Sequence, residues 1–176
     1  DGGHSATIKT IDGKSYDVEG VCAYDVGKDV ALIQIEGKGF TALPLNMKLP
    51  ETGDKIYTIG SPEGLENTMS DGLVSNANRV FEDRRYIQIS APISPGSSGG
   101  VLINDRGEVI GVTAAGYLYG QNLNFAIPIS TIENMSGRTP VPLSDLLPKP
   151  EIDYPVSVDV SSFSIVAGKS KTVFMT

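Results

Sequence analysis

Short apolar runs separated by turn residues recur along the whole chain, the pattern of an all-β protein. Residues Ala6 to Ile11 alternate and then meet Asp12-Gly13, a strong hairpin signal. Strands are expected next over Ser15 to Tyr24 and over Val30 to Ile35, after which Gly37, Gly39 and Pro44 break the pattern. A second series follows at Lys55 to Gly60, Ser70 to Asn76, Tyr86 to Ser90, Gly100 to Ile103, Val109 to Ala114 and Asn124 to Pro128. Strands that are short and regularly spaced, with turn residues between them, predict a barrel or a sandwich. Only Pro128 to Met135 reads as a helix, with Ser130 as its N-cap and Glu133 three residues on completing a capping box.

The breaks divide the chain. Residues 1–46 form a first β unit, with Pro44 to Thr52 leading out of it, and residues 47–138 a second. Prolines 140, 142, 148, 150 and 155 crowd residues 139–155, which reads as a linker. Residues 156–176 are β-rich again and resemble the start of an Ig-like module. About twenty residues cannot bury a core alone, so either that module continues further or its strands pair with the main domain.

Composition narrows the function classes. With 40% hydrophobic and 20% charged residues, the 176-residue chain is globular rather than disordered. Its net charge of -7 argues against a general phosphate-backbone binder and against docking on anionic lipid. No apolar run is long enough to span a membrane. Cys22 is the only cysteine, so there is no intrachain disulfide, and its apolar neighbours make it a small buried hydrophobe. The chain begins at Asp1 without a methionine, so any export signal is expected upstream.

Candidate chemistry lies in Ser94-Pro95-Gly96-Ser97-Ser98-Gly99-Gly100. A serine hydroxyl is a poor nucleophile unless a base removes its proton and donors hold the oxyanion. A glycine two residues before the serine lets backbone N–H groups turn toward one point, and glycines after it admit a substrate backbone. The same run also suits an ordinary Gly/Ser loop. A second feature is Lys28-Asp29-Val30-Ala31-Leu32-Ile33, where an acid opens an apolar strand. Such an acid can orient an imidazole, or simply serve a turn.

Taken with Gly53-Asp54, Ile59-Gly60-Ser61-Pro62-Glu63-Gly64-Leu65, Gly72-Leu73-Val74-Ser75, Gln88-Ile89-Ser90-Ala91-Pro92-Ile93, Gly107-Glu108-Val109-Ile110-Gly111-Val112 and Phe125-Ala126-Ile127-Pro128, these segments stand in a fixed order. In that order the chain resembles the bacterial trypsin-like serine peptidases of the HtrA/Deg type, over about residues 1–135. The resemblance implies a trypsin-like double β-barrel whose first barrel is incomplete, followed by a short C-terminal β tail. It implies Ser98 as nucleophile, Asp29 as the orienting acid, and the N–H groups of Gly96 and Ser98 as the oxyanion hole. Substrate would lie along Thr113, Ala114, Ala115 and Gly116 as an added strand and contact Phe125. No acid stands at the floor of the side-chain pocket, so a small or medium apolar side chain is expected there.

One departure weighs against these matches. The family's histidine precedes the Asp-Gly that matches Asp1-Gly2, so the base and two earlier strands are expected upstream of this chain. His4, the only histidine, falls where the family has variable loop residues and reads as exposed. The expected function is a secreted or cell-surface serine endopeptidase acting on extended protein segments, inactive in this chain for want of its base. The alternative is a peptide-binding or adhesion module without catalysis. No cofactor or metal is implied, and no nucleic-acid partner. Self-association through open strand edges is a further expectation.

Overall fold

The computed structural model describes residues 5–60, 68–81, 83–114, 123–135 and 139–146, and the backbone of Thr172–Met175. The first β unit consists of β1 (Thr7–Lys9), β2 (Ser15–Asp25) and β3 (Val30–Ile35). β1 and β2 form the hairpin that Asp12-Gly13 announces, with Ile8 opposite Tyr16, and β2 returns antiparallel to β3. A further strand, β10 (Thr172–Met175), lies antiparallel on the other side of β3, giving the order β1-β2-β3-β10. The rest of residues 156–176, read above as the start of an Ig-like module, lies outside the described residues.

The second unit is a closed six-stranded barrel. Its strands are β4 (Lys55–Gly60), β5 (Thr68–Phe81), β6 (Arg84–Ile89), β7 (Val101–Asn104), β8 (Val109–Ala114) and β9 (Asn124–Pro128). Around the barrel they run β4-β5-β6-β9-β8-β7, every neighbouring pair antiparallel. Closure removes the open edges that a flat sheet of this size would present. The period-2 pattern explains the interior. Ile56, Val74, Ile87, Ile89, Leu102, Ile110 and Ala126 point inward and form one buried cluster.

A second buried cluster joins the two units. Cys22, Val30 and Leu32 of the first sheet pack with Val101, Val109, Val112, Ile129 and Ile132 of the barrel side. Each such side chain contributes about 1.5–3 kcal/mol when fully buried, so this seam holds the units together. Burial raises the Cys22 thiol above its usual range, with Glu19 adding to the effect, which suits the buried hydrophobe expected of it. The connecting stretch seals the seam. Asn46 N–H donates to Val109 O (2.9 Å) and Val109 N–H to Pro44 O (2.8 Å). Residues 139–146, in the proline-rich stretch, also return to the first sheet, where Val141 and Val21 exchange backbone bonds of 2.9 and 3.0 Å.

The helix expected after β9 is a correction. Ile129–Ile132 forms one turn of 3-10 helix with Pro128 in the N-cap position and no side-chain cap, so the Ser130/Glu133 capping box does not form. The reason is packing. Ile129 and Ile132 are both buried in the seam, and a three-residue period brings them to one side.

Candidate active site

The loop over residues 94–100, where the nucleophile is expected, is two successive tight turns. Ser97 N–H donates to Ser94 O (2.9 Å), and Gly100 N–H donates to Ser97 O (3.0 Å). Pro95 at the second position and Gly96 at the third, with φ of 90°, are what a type II turn requires. The closing bonds use the N–H groups of Ser97 and Gly100, and neither uses that of Gly96 or Ser98. Ser98 itself is half-buried, while Ser97 beside it is buried.

β8 anchors this loop to the barrel. Gly99 N–H donates to Thr113 O (2.9 Å), and Thr113 N–H donates to Gly100 O (2.7 Å). The Thr113 hydroxyl donates to Ser97 O. Thr113 is therefore buried and committed to the loop, a tie that composition and spacing did not reveal. A Cβ at Gly100 would lie 2.7 Å from Ile59 O and Thr113 Oγ1 and 2.8 Å from Ser97 O, so the glycine permits the close approach.

The remaining expected site residues fall as follows. Ala114 ends β8, half-buried and paired with Phe125 of β9. Ala115, Gly116 and His4 lie outside the described residues. Phe125 is buried and packs edge-on against Phe81 (5.4 Å) and Tyr86 (6.0 Å). Asn124 donates from Nδ2 to Ala91 O (2.9 Å), which fastens β9 to the segment leading into the 94–100 loop. Only the position of this asparagine after a strand break could have hinted at that bond.

Asp29 ends the tight turn between β2 and β3, exposed, with φ of 54°. That left-handed conformation is one aspartate tolerates better than most residues. The turn is built by Asp25, which accepts from Lys28 N–H (3.1 Å) and forms an ion pair with Lys28 Nζ (3.2 Å). Partial burial raises the Asp25 carboxyl, but the Lys28 contacts outweigh it and hold the group below the usual carboxylate range. A carboxyl so lowered stabilises the fold above its unfolded pKa, about 4, and loses that contribution as pH falls through the folded value. The Lys28 amide shift, followed by NMR, is thus expected to stay constant from pH 8 to about 5 and to move only below about 4. A midpoint above 5 would contradict this account of the turn.

The chain that follows Asp29 and the chain that follows Ser98 enter the same seam. Val30 directly after Asp29, and Val101 three residues after Ser98, belong to one buried cluster. A closed six-stranded antiparallel barrel packed on a second antiparallel sheet, with a glycine-rich serine loop leading into the barrel, is the architecture of the trypsin-like peptidases. A family profile for the trypsin-like peptidase domain matches residues 1–112. The chain is 36% identical over 145 residues to the serine protease HTRA1 of Xenopus laevis, covering 77% of this chain and 31% of that protein. It is also 36% identical over 140 residues to the periplasmic serine endoprotease DegP of Salmonella typhimurium, covering 74% of this chain and 29% of that one. Among solved structures, the HtrA-type protease AlgW with decapeptide superposes with a TM-score of 0.68 at 29% identity, over 74% of this chain and 42% of that one. The chain belongs to the trypsin-like serine peptidase family and is of the HtrA type. It spans about a third of the length of the curated relatives it matches.

Proposed function

We propose that this chain carries the nucleophile, the orienting acid and the oxyanion hole of a serine endopeptidase, and that the histidine completing the triad belongs to a preceding segment of a longer protein. The observation that carries this reading is the loop at 94–100. Gly96 lies in the turn 94–97 and Ser98 in the turn 97–100, and the closing bonds of both turns use other N–H groups, which supports Gly96 and Ser98 as the donors to an oxyanion. In the complete site, Ser98 Oγ attacks the scissile carbonyl carbon while the histidine takes its proton. The tetrahedral oxyanion is held by the two N–H groups. The histidine then returns the proton to the leaving amine, and water releases the acyl group from Ser98. Asp29 fixes the ring and stabilises its positive charge.

Substrate of this site is an extended polypeptide that pairs with the chain from Ala114 through Gly116. AlgW bears a decapeptide, which supports a peptide ligand for the same fold. No carboxylate is expected at the side-chain pocket, which favours a small or medium apolar side chain. The periplasmic naming of DegP supports an extracytoplasmic location. Among the described residues, no helix is long and apolar enough to cross a membrane.

The test uses a fluorophosphonate probe on this chain and on a longer form that includes the upstream histidine. The longer form is expected to label at Ser98 and this chain at most weakly. His4→Ala in the longer form should leave peptidase activity unchanged within about threefold, a surface-scale effect under 1 kcal/mol. Equal, rapid labelling of both chains, or a hundredfold loss on His4→Ala, would mean that the base is His4.

A further inference from the structure

One side chain in β8 breaks the composition of its strand. β8 reads Val-Ile-Gly-Val-Thr-Ala and is buried on both faces as far as Thr113. A strand of that kind calls for apolar, β-branched side chains, and valine has the shape of threonine with a methyl in place of the hydroxyl. Thr113 is 1% exposed, so its hydroxyl has left water and destabilises the fold unless it is bonded. Valine fills the same space without that penalty. Packing therefore does not account for the hydroxyl, and what it touches is the carbonyl oxygen of Ser97.

Ser97 O also accepts from the Gly100 N–H, at 3.0 Å. A carbonyl oxygen has two lone pairs, and here each has a donor. One hydrogen bond leaves a peptide free to rock about it, whereas two fix the direction of the C=O. The peptide that joins Ser97 to Ser98 is planar and trans, so its N–H points opposite to its C=O. That N–H belongs to Ser98. With Ser97 O held by Thr113 and Gly100, the Ser98 N–H is turned away from both of them. Donation to Ser97 O also polarises the same peptide and strengthens its N–H as a donor. The other bonds between Thr113 and this segment, Gly99 N–H to Thr113 O (2.9 Å) and Thr113 N–H to Gly100 O (2.7 Å), are main-chain and do not depend on the side chain at 113. Only the hydroxyl bond does.

We propose that Thr113 is a positioning residue of the oxyanion hole: its hydroxyl acts with the Gly100 N–H to lock the Ser97 carbonyl, and the lock aims the Ser98 N–H at the oxyanion. This rests on the role given to Ser98 above and adds the side chain that sets the direction of its donor. An oxyanion donor is effective because it is preorganised and need not reorient as charge develops. Loss of the lock therefore weakens the hold on the transition state and leaves binding of the intact peptide unaltered.

The test compares Thr113→Val, Thr113→Ala and Thr113→Ser in the longer form that includes the histidine, with Ser98→Ala beside them. Thr113→Val is expected to lower kcat by about thirtyfold, a share of the roughly hundred- to thousandfold loss on removing an oxyanion donor outright, with KM held within about threefold. Thr113→Ala removes the hydroxyl without setting a methyl against Ser97 O, and shows the same loss even where the valine variant does not fold. Thr113→Ser keeps the hydroxyl and should stay within about threefold of the parent. A peptide aldehyde adds reversibly to Ser98 Oγ and places an oxygen in the oxyanion position. Its affinity should fall by the factor by which kcat/KM falls, while an uncleavable peptide of the same sequence binds every variant alike. Unchanged kcat in Thr113→Val and Thr113→Ala, or a Thr113→Ser variant as slow as they are, overturns the positioning role. A raised KM with kcat kept overturns it too and marks Thr113 as a substrate contact. Ser98→Ala keeps the two readings apart: if it retains activity, the role of Ser98 falls, and if it is inactive while the Thr113 variants are unimpaired, only the role of Thr113 does.

Discussion

Ser98→Ala, made in a longer form of the protein that includes the histidine, is expected to lower kcat on the order of a millionfold, as loss of the nucleophile does where serine and histidine act as a unit. Asp29→Asn in the same form should cost about ten-thousandfold, because the amide holds the imidazole in the wrong tautomer. Neither change should alter the melting midpoint by more than a degree or two. Ser98 is half-buried in a loop held by backbone bonds, and Asp29 is exposed, its turn held by Asp25 and Lys28. Single-turnover peptide hydrolysis beside thermal melts reads both quantities. A loss below tenfold for Ser98→Ala would remove the serine from the chemistry. A large loss accompanied by an equal drop in stability would mark it as structural.

Strands were legible from the sequence either by a period of two, where one face is buried, as in Lys55–Gly60, or by an apolar run bounded by turn residues, where both faces are, as in Val109–Ala114. Val30–Ile35, Lys55–Gly60, Val109–Ala114 and Asn124–Pro128 lie where the alternation or the apolar run put them. β5 was legible only in part. It runs from Thr68 to Phe81, well past Asn76, through Asn-Ala-Asn-Arg, where no side-chain period exists. Its register shifts twice against β6, and Arg79 holds the irregular part by donating to Gln88 Oε1 at 3.1 and 2.8 Å. A contact between residues nine apart on different strands leaves no local signal. The Pro128–Met135 segment misled for the opposite reason. Its capping pattern was present, but burial of Ile129 and Ile132 against the seam set the local geometry.

The backbone demands of the candidate loop were more legible than its supports. Glycine spacing around Ser98 identified a loop with unusual backbone demands, and the loop does contain a left-handed Gly96 and a tightly packed Gly100. What the sequence could not reveal is what pins that loop. Thr113 looked like part of the substrate edge, yet its hydroxyl is turned inward to Ser97 O. Asn124 bonds to Ala91 O, across thirty-three positions of chain. The first tie depends on β8 lying beside β7 and the second on β9 lying beside β6, neighbours that the barrel sets.

Gly100→Ala is expected to destabilise this chain by about 2–4 kcal/mol, the range of an overpacked buried position with nowhere to relax. The three atoms its Cβ would meet are Ile59 O, Thr113 Oγ1 and Ser97 O, at 2.7 to 2.8 Å. Two of these are backbone. The third is fixed by its bond to Ser97 O, so it cannot swing aside without breaking the tie that holds the 94–100 loop. Gly107→Ala is the natural comparison. Gly107 has φ of 73° and nothing within 4 Å of an added Cβ, so alanine there meets only the left-handed backbone cost of about 1–2 kcal/mol. Urea unfolding of the two variants separates steric crowding from backbone conformation. In the longer form, Gly100→Ala should also slow fluorophosphonate labelling of Ser98 by more than tenfold, whereas Gly107→Ala, in the turn between β7 and β8, should leave labelling unchanged. If Gly100→Ala proves as mild as Gly107→Ala, the close packing of Ile59, Thr113 and Ser97 around this residue is not what orders the loop.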